Sequence, residues 1–213
     1  MAQIGSLVAS SNQTFNLDFL PSVLVIGNIN TDIPISNLSV VTGGEQLVSI
    51  TSAVRIRAFA KFGNGGMLGA SVKVPMGIAL AAGRVNRQTT INATNGAATT
   101  PAVFAASTQK SNVVRRAAET SINASANGSF QNFEAMYFDA TNVLRAQIQF
   151  EDGYGDEFSV PELDALFARS NITDADGKLE GLTCIEGDGI ATVTLYNGSG
   201  GQTVVLVSSL FQF

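Results

Sequence analysis

The segment Val54-Arg55-Ile56-Arg57-Ala58-Phe59-Ala60-Lys61-Phe62 alternates along its length. Val54, Ile56, Ala58, Ala60 and Phe62 fall on one side of an extended chain, and Arg55, Arg57, Phe59 and Lys61 fall on the other. A period of two marks a half-buried antiparallel strand, because successive side chains of a strand point to opposite faces. Gly63-Asn64-Gly65-Gly66 follows as a turn, and a return strand over residues 70–74 brings Lys73 beside the basic face. The β-branched residues and the glycines weigh against a helix.

Outward from this hairpin the same pattern recurs. Residues 38–41 and 46–50 flank Thr42-Gly43-Gly44-Glu45 as strand, tight turn and strand. Residues 23–26 and 135–138 are short β-rich runs. In 143–150, Val143, Arg145, Gln147 and Gln149 oppose Leu144, Ala146, Ile148 and Phe150. Residues 189–196 and 202–210 read as a terminal hairpin around the glycine-rich turn 197–201. Residues 1–20 read as an extended N-terminal arm. Between 85 and 130 Ala, Thr, Asn and Ser dominate, which means either a long excursion over a neighbour or several weak strands. One short helix is expected at about 159–169. Ser159 and Glu162 there form a capping box, Pro161 sits in the first turn, and Leu163, Leu166 and Phe167 make an apolar stripe. The fold expected is all-β: an antiparallel β-sandwich of jelly-roll type, with residues 21–213 as a single domain with long loops.

Charge is segregated. From Gln46 to Ala118 there is no Asp or Glu, and nine of the 12 Lys and Arg residues lie there. From Glu119 onward fourteen acids face three bases, so the net charge of −5 hides a strongly dipolar sequence. Such asymmetry speaks about partners more than about fold. Charged residues make up only 14% of the chain, below the usual ~25%. The surface is then either a neutral polar skin or largely interface. The N-terminus lacks the basic and apolar regions of a signal peptide, and no apolar run reaches the ~20 residues needed to span a bilayer. Both features lead to the expectation of synthesis in a cytoplasm.

Chemistry is sparse. There is no histidine, so no His-based triad or His metal site is available. Cys184, the single cysteine, reads as a small core residue. Glu151, Asp152, Asp156 and Glu157 place four carboxylates in seven residues. These either offer oxygen ligands to calcium, pair as glycosidase carboxylates, or line a solvated turn before the helix. Asp174-Ala175-Asp176-Gly177 fails as an EF-hand, because Ile172 and Thr183 would stand at the end ligand positions. The basic group Arg55, Arg57, Lys61 and Lys73 is the strongest site candidate. It is an ordinary solvent-facing strand, a surface for the phosphates of an anionic membrane or genome, or a contact with acidic neighbours in an assembly.

The arm at 1–20, the basic hairpin at 54–74, the excursion at 85–130 and the terminal hairpin at 189–210 together resemble the jelly-roll coat proteins of small icosahedral bacteriophages, including those that enclose a membrane. The resemblance is one of overall style. It implies a non-enzymatic structural protein of the virion: a homo-oligomeric capsid subunit, in contact with other capsid subunits, with its inner face toward membrane or genome and no small-molecule substrate. Coat proteins with two jelly rolls are generally longer, so one jelly roll with insertions is expected. The alternative is a β-sandwich binding or adhesion module, as in a surface or fibre protein.

Overall fold

A computed structural model describes residues 2–27, 35–63, 76–96, 98, 100–107, 110–169 and 172–211. The chain divides into two compact units. Unit 1 comprises Met1–Ala118 with Ser209–Phe213, and unit 2 comprises Glu119–Ser208. The single domain expected over 21–213 is therefore corrected to two units.

Unit 1 contains β1 (Ala2–Ser6), β2 (Asn12–Leu17), β3 (Val23–Gly27), β4 (Ile35–Thr42), β5 (Glu45–Ile50), α1 (Ala53–Gly63), β6 (Met76–Ala79), β7 (Thr89–Asn95), β8 (Ala102–Ala106) and the first part of β9 (Val113–Ile122). One sheet runs β1-β8-β3-β6 and the other β9-β5-β4-β7-β2. β5 and β9 pair in parallel, with Val48 opposite Ala117. The β4–β5 turn falls where the glycines placed it: Gly43 and Gly44 take φ of 55° and 86°, the left-handed values that a two-residue hairpin turn requires.

The proposed N-terminal arm is not an arm. β1 pairs with β8 and β2 with β7, while Leu7, Phe15 and Leu20 are buried. The polar composition of 1–20 misleads because the β2–β7 pair satisfies it internally. Thr14 Oγ1 donates to Asn92 Oδ1 at 2.7 Å, and Thr90 Oγ1 to Asn16 Oδ1 at 3.0 Å. The stretch 85–130 resolves the same way into β7, β8, β9 and β10 (Asn127–Phe130), which settles the earlier choice in favour of several strands.

The largest correction concerns residues 54–62, which form helix α1 and not a strand. Ile56, Phe59 and Ala60 recur at three- and four-residue spacing, and all three are buried. Phe59 decides the matter. A strand would put it outside among the cations, but it is 1% exposed. Ala and Arg are good helix formers, and the β-branched residues are only Val54 and Ile56. The glycines lie at and beyond the helix end, where they stop a helix without opposing it. A Cβ at Gly63 would meet the end of the Arg115 side chain, which would have to shift. The return strand 70–74, with Lys73, lies outside the described residues.

Unit 2 takes up the rest of β9 and contains β10, β11 (Ala135–Phe138), β12 (Val143–Phe150), β13 (Gly155–Phe158), α2 (Val160–Leu166), β14 (Thr183–Glu186), β15 (Ile190–Asn197) and most of β16 (Gln202–Phe211). Its sheets run β10-β15-β12-β13 and β14-β11-β16. Inner faces of both meet in one apolar core. Phe130, Ile148, Val193 and Leu195 come from the first sheet, and Met136, Phe138, Ile185 and Val204 from the second, with Leu163 of α2 among them. Burying these side chains supplies roughly 1.5–3 kcal/mol each before entropy is counted. The terminal hairpin is a second correction. β15 and β16 belong to different sheets, so the turn at 197–201 passes from one layer to the other. α2 starts where its capping box places it, with Ser159 at the cap. The helix expected there is one of two α-helices among the described residues. Each helix contacts both sheets of its own unit: α1 touches β4 and β6, and α2 touches β12 and β14.

Candidate functional site

Arg55, Arg57 and Lys61 lie on helix α1 and do not form one face. At about 100° per residue, Arg55 stands about 160° around the helix from Arg57, whereas Arg57 and Lys61 share a side. Arg55, Arg57 and Lys61 are all half-buried and engaged with neighbours, and Lys73 lies outside the described residues. The helix thus sets Arg55 apart from Arg57 and Lys61, which alternation had placed on one face.

Sequence reasoning missed a different cationic pair. An isolated parallel bridge sets Arg84 beside Lys110, and both are exposed. The Arg84 guanidinium lies over the Phe19 ring at 4.1 Å, and its Nε donates to Asn86 Oδ1 at 3.1 Å. Stacking and hydrogen bond together hold the guanidinium in one orientation. The two cations are 26 positions apart, so only pairing of the chain could reveal them.

The four acids occupy the β12–β13 hairpin but do not converge. Asp156 stands opposite Ile148 and Glu157 opposite Gln147, so the two carboxylates leave the strand on opposite faces. Glu157 pairs with Arg145 at 2.9 Å. Asp152 Oδ1 accepts from the Tyr154 backbone N–H at 3.0 Å, and Asp156 Oδ1 from that of Glu157 at 2.8 Å. Among the described residues no group of three His, Cys, Asp or Glu side chains is placed to hold a metal ion. The geometry is that of a solvated turn. Asp174 likewise turns its own loop, accepting from the N–H groups of Asp176 and Lys178 at 3.0 and 2.9 Å.

Cys184 is buried, and burial pushes its thiol up to about 12, with the nearby Glu186 carboxylate adding to the effect. A thiol at that value carries almost no thiolate near neutral pH and is not a nucleophile.

The outer face of β10-β15-β12-β13 is a grid of neutral polar side chains. Ser129 shares a 2.8 Å hydrogen bond with Thr194, Gln131 Nε2 donates to Thr192 at 3.1 Å, and the Tyr196 hydroxyl donates to Gln147 at 3.2 Å. Arg145 lies over the Tyr196 ring at 4.5 Å. A shallow cleft of about 470 Å3 opens here between Ser125, Asn127, Leu144, Arg145 and Tyr196.

The two units differ sharply in charge. Unit 1 holds nine bases and three acids, net +6, and unit 2 holds three bases and fourteen acids, net −11. All three bases of unit 2 are paired inside it: Arg145 with Glu157, Arg169 with Glu186 at 3.0 Å, and Lys178 with Asp164 at 3.2 Å.

No protein-family model and no curated protein sequence matches the chain. Solved structures do. The fold is similar to that of the major capsid protein P2 of bacteriophage PM2, with a TM-score of 0.58 at 12% identity over 97% of this chain and 94% of that one. It is equally similar to the STIV major capsid protein, with a TM-score of 0.59 at 12% identity over 98% and 94% of the two chains. The chain therefore has an all-β, jelly-roll-type sandwich fold shared with these capsid proteins. Among the described residues no helix is long and apolar enough to cross a membrane.

Proposed function

We propose that this chain is a structural capsid subunit that assembles with copies of itself into the shell of a virion. The observation that carries the reading is the fold match, which extends over nearly the whole of this chain and of two viral capsid proteins. A chain with only 14% charged residues supports it, because low charge suits surfaces that pack against neighbours better than surfaces left free. An anionic membrane or genome on the inner side belongs to the proposal, with the bases of unit 1 as the contact. Light scattering and negative-stain imaging of the purified protein test it. Uniform oligomers or shells are expected; a monodisperse 22.2 kDa species at all concentrations overturns it. Co-sedimentation with anionic liposomes and with DNA tests the inner-side contact.

The cleft beside Tyr196 favours a second reading, a β-sandwich binding module. That reading expects a monomer that retains a glycan or peptide at this cleft and loses it on Tyr196→Ala.

A further inference from the structure

A strand at the edge of a sheet presents unpaired backbone N–H and C=O groups, and proteins blunt such edges with short strands, bulges, charges or a covering helix. The outer strands β1, β6, β10, β13 and β14 are blunted in these ways. β1 is bulged between Gln3 and Gly5. β6, β10, β13 and β14 have four residues each. α1 lies against β6 and α2 against β14, and β13 carries Asp156 and Glu157. The outer strand β2 is the exception. It has six residues in unbroken register with β7, without charge, proline or glycine. Among the described residues no strand lies on its other side. The hydrogen-bond phase is set where the Asn95 N–H donates to the Ser11 carbonyl at 3.0 Å. Paired groups recur at every second residue, so Gln13, Phe15 and Leu17 aim their backbone groups at β7, and Asn12, Thr14 and Asn16 aim theirs outward. These last three are exposed. The outward backbone groups of Thr14 and Asn16 have no partner among the described residues, and the Asn12 carbonyl accepts only from the Gln13 side chain, at 3.2 Å.

We propose that β2 pairs edge to edge with β2 of a second copy, antiparallel about a two-fold axis at Thr14, and joins two subunits through one continuous sheet. The inference rests on the self-assembly reading and names one of its contacts. The outward residues are Asn12, Thr14 and Asn16, the same series in both directions. With Thr14 opposite Thr14 of the second copy, Asn12 falls opposite Asn16, and each pair exchanges both of its backbone hydrogen bonds. A two-fold contact requires this self-complementarity, whereas a foreign strand has no need of it, so the symmetry points to a second copy. The asparagine side chains fit the same register. Their Oδ1 atoms accept from Thr94 at 3.3 Å and from Thr90 at 3.0 Å, which leaves the amide N–H groups of Asn12 and Asn16 to donate to the opposing asparagine. Asp18, the charge just beyond the strand, falls opposite Ser10 of the second copy, so the two carboxylates stay at opposite ends of the contact.

Cysteine cross-linking of the full chain, with light scattering beside it, tests the register, since the native Cys184 is buried. Opposed residues of a hydrogen-bonded antiparallel pair have Cα atoms about 5.5 Å apart, within the roughly 4.4–6.8 Å that a disulfide spans. Thr14→Cys is expected to give a covalent dimer under mild oxidation. Asn12→Cys, displaced roughly 13 Å along the strand from its symmetry mate, is expected to give none. Thr14→Pro removes the central outward N–H, which the β2–β7 ladder does not use. It should keep the melting temperature and raise the dissociation constant of assembly by on the order of tenfold. If it lowers the melting temperature, Thr14→Lys replaces it, setting two like charges face to face at the axis. A wild type that assembles while Thr14→Cys gives no more covalent dimer than Asn12→Cys overturns the edge pairing and leaves the capsid reading intact. So does a Thr14→Pro chain that melts and assembles as the wild type does. A wild type that is monomeric at every concentration overturns both.

Discussion

Asp164 on α2 is 5% exposed, and its Oδ1 accepts a 2.7 Å hydrogen bond from the Thr183 hydroxyl at the start of β14. Its other oxygen faces Lys178 Nζ at 3.2 Å. Gly177 passes so close that a Cβ there would strike the Asp164 carbonyl, and its φ of 77° already favours glycine. One carboxylate thus ties the helix to a strand and a loop of unit 2. Thr183→Val removes the donor and leaves a buried oxygen unsatisfied, which costs about 1–3 kcal/mol. Lys178→Met strands the charge itself, so it should destabilise at least as much. Adding Asp164→Asn to Lys178→Met should restore part of the loss, because the amide keeps an acceptor for Thr183 and needs no counter-ion. Denaturant midpoints of the three variants check the order.

Phe59 separates the helix from the strand that alternation suggests. Phe59→Ala should cost about 3–5 kcal/mol, as for a fully buried aromatic. Val54→Ala, on the outer side of α1, should cost far less. Equal and small effects at both positions, measured by thermal melts, would return the segment to a strand with Phe59 outside.

The Ser159–Glu162 capping box carries a pH signature. Glu162 Oε2 accepts from the Ser159 hydroxyl at 2.6 Å and from its backbone N–H at 2.7 Å. The hydroxyl bond, then the backbone bond, hold the Glu162 carboxyl below its ordinary value. A depressed carboxyl stabilises the fold above its unfolded pKa of about 4.3 and loses that contribution as pH falls through the folded value. Ser159→Ala should lower the melting temperature at neutral pH. The gap from wild type should narrow as pH drops below about 4. A gap that is constant with pH would mean that the hydroxyl acts without the carboxylate.

Deleting residues 1–20 should unfold unit 1. The deletion removes β1 and β2 from their sheets and takes Leu7, Phe15 and Leu20 out of the interior. Circular dichroism should show loss of β signal. A truncated protein that keeps its β signal and melting temperature while failing to assemble would restore the idea of an arm.

Calcium should leave the melting temperature unchanged. Glu157 is already paired with Arg145, and the Asp152 and Asp156 carboxylates each accept from the hairpin backbone. A rise in millimolar Ca2+ that a chelator reverses would show the four acids gathering around an ion after all.

The sequence by itself determined the features that depend on neighbours along the chain. The Gly43-Gly44 turn needs left-handed backbone, which glycine alone adopts freely, so the β4–β5 hairpin was readable. The α2 cap rests on two residues three apart, and β12 on an alternation that its packing keeps from Arg145 to Gln149, with Ala146 and Ile148 buried against exposed Arg145, Gln147 and Gln149, while a register shift before Arg145 buries Val143 and exposes Leu144. Charge counts are also sequence properties, so the break at residue 118 was visible before its meaning was. Only the tertiary structure decided the rest. Residues 54–62 satisfy the strand period and the helix period together. Contact with β4 and β6 selects the helix, which is the form that buries Phe59. Whether β15 and β16 pair or part depends on strands far away in the chain: β10 and β12 take β15, and β11 takes β16. The cationic pair is of the same kind. Arg84 and Lys110 become neighbours only because two distant segments bridge, and no local pattern encodes that.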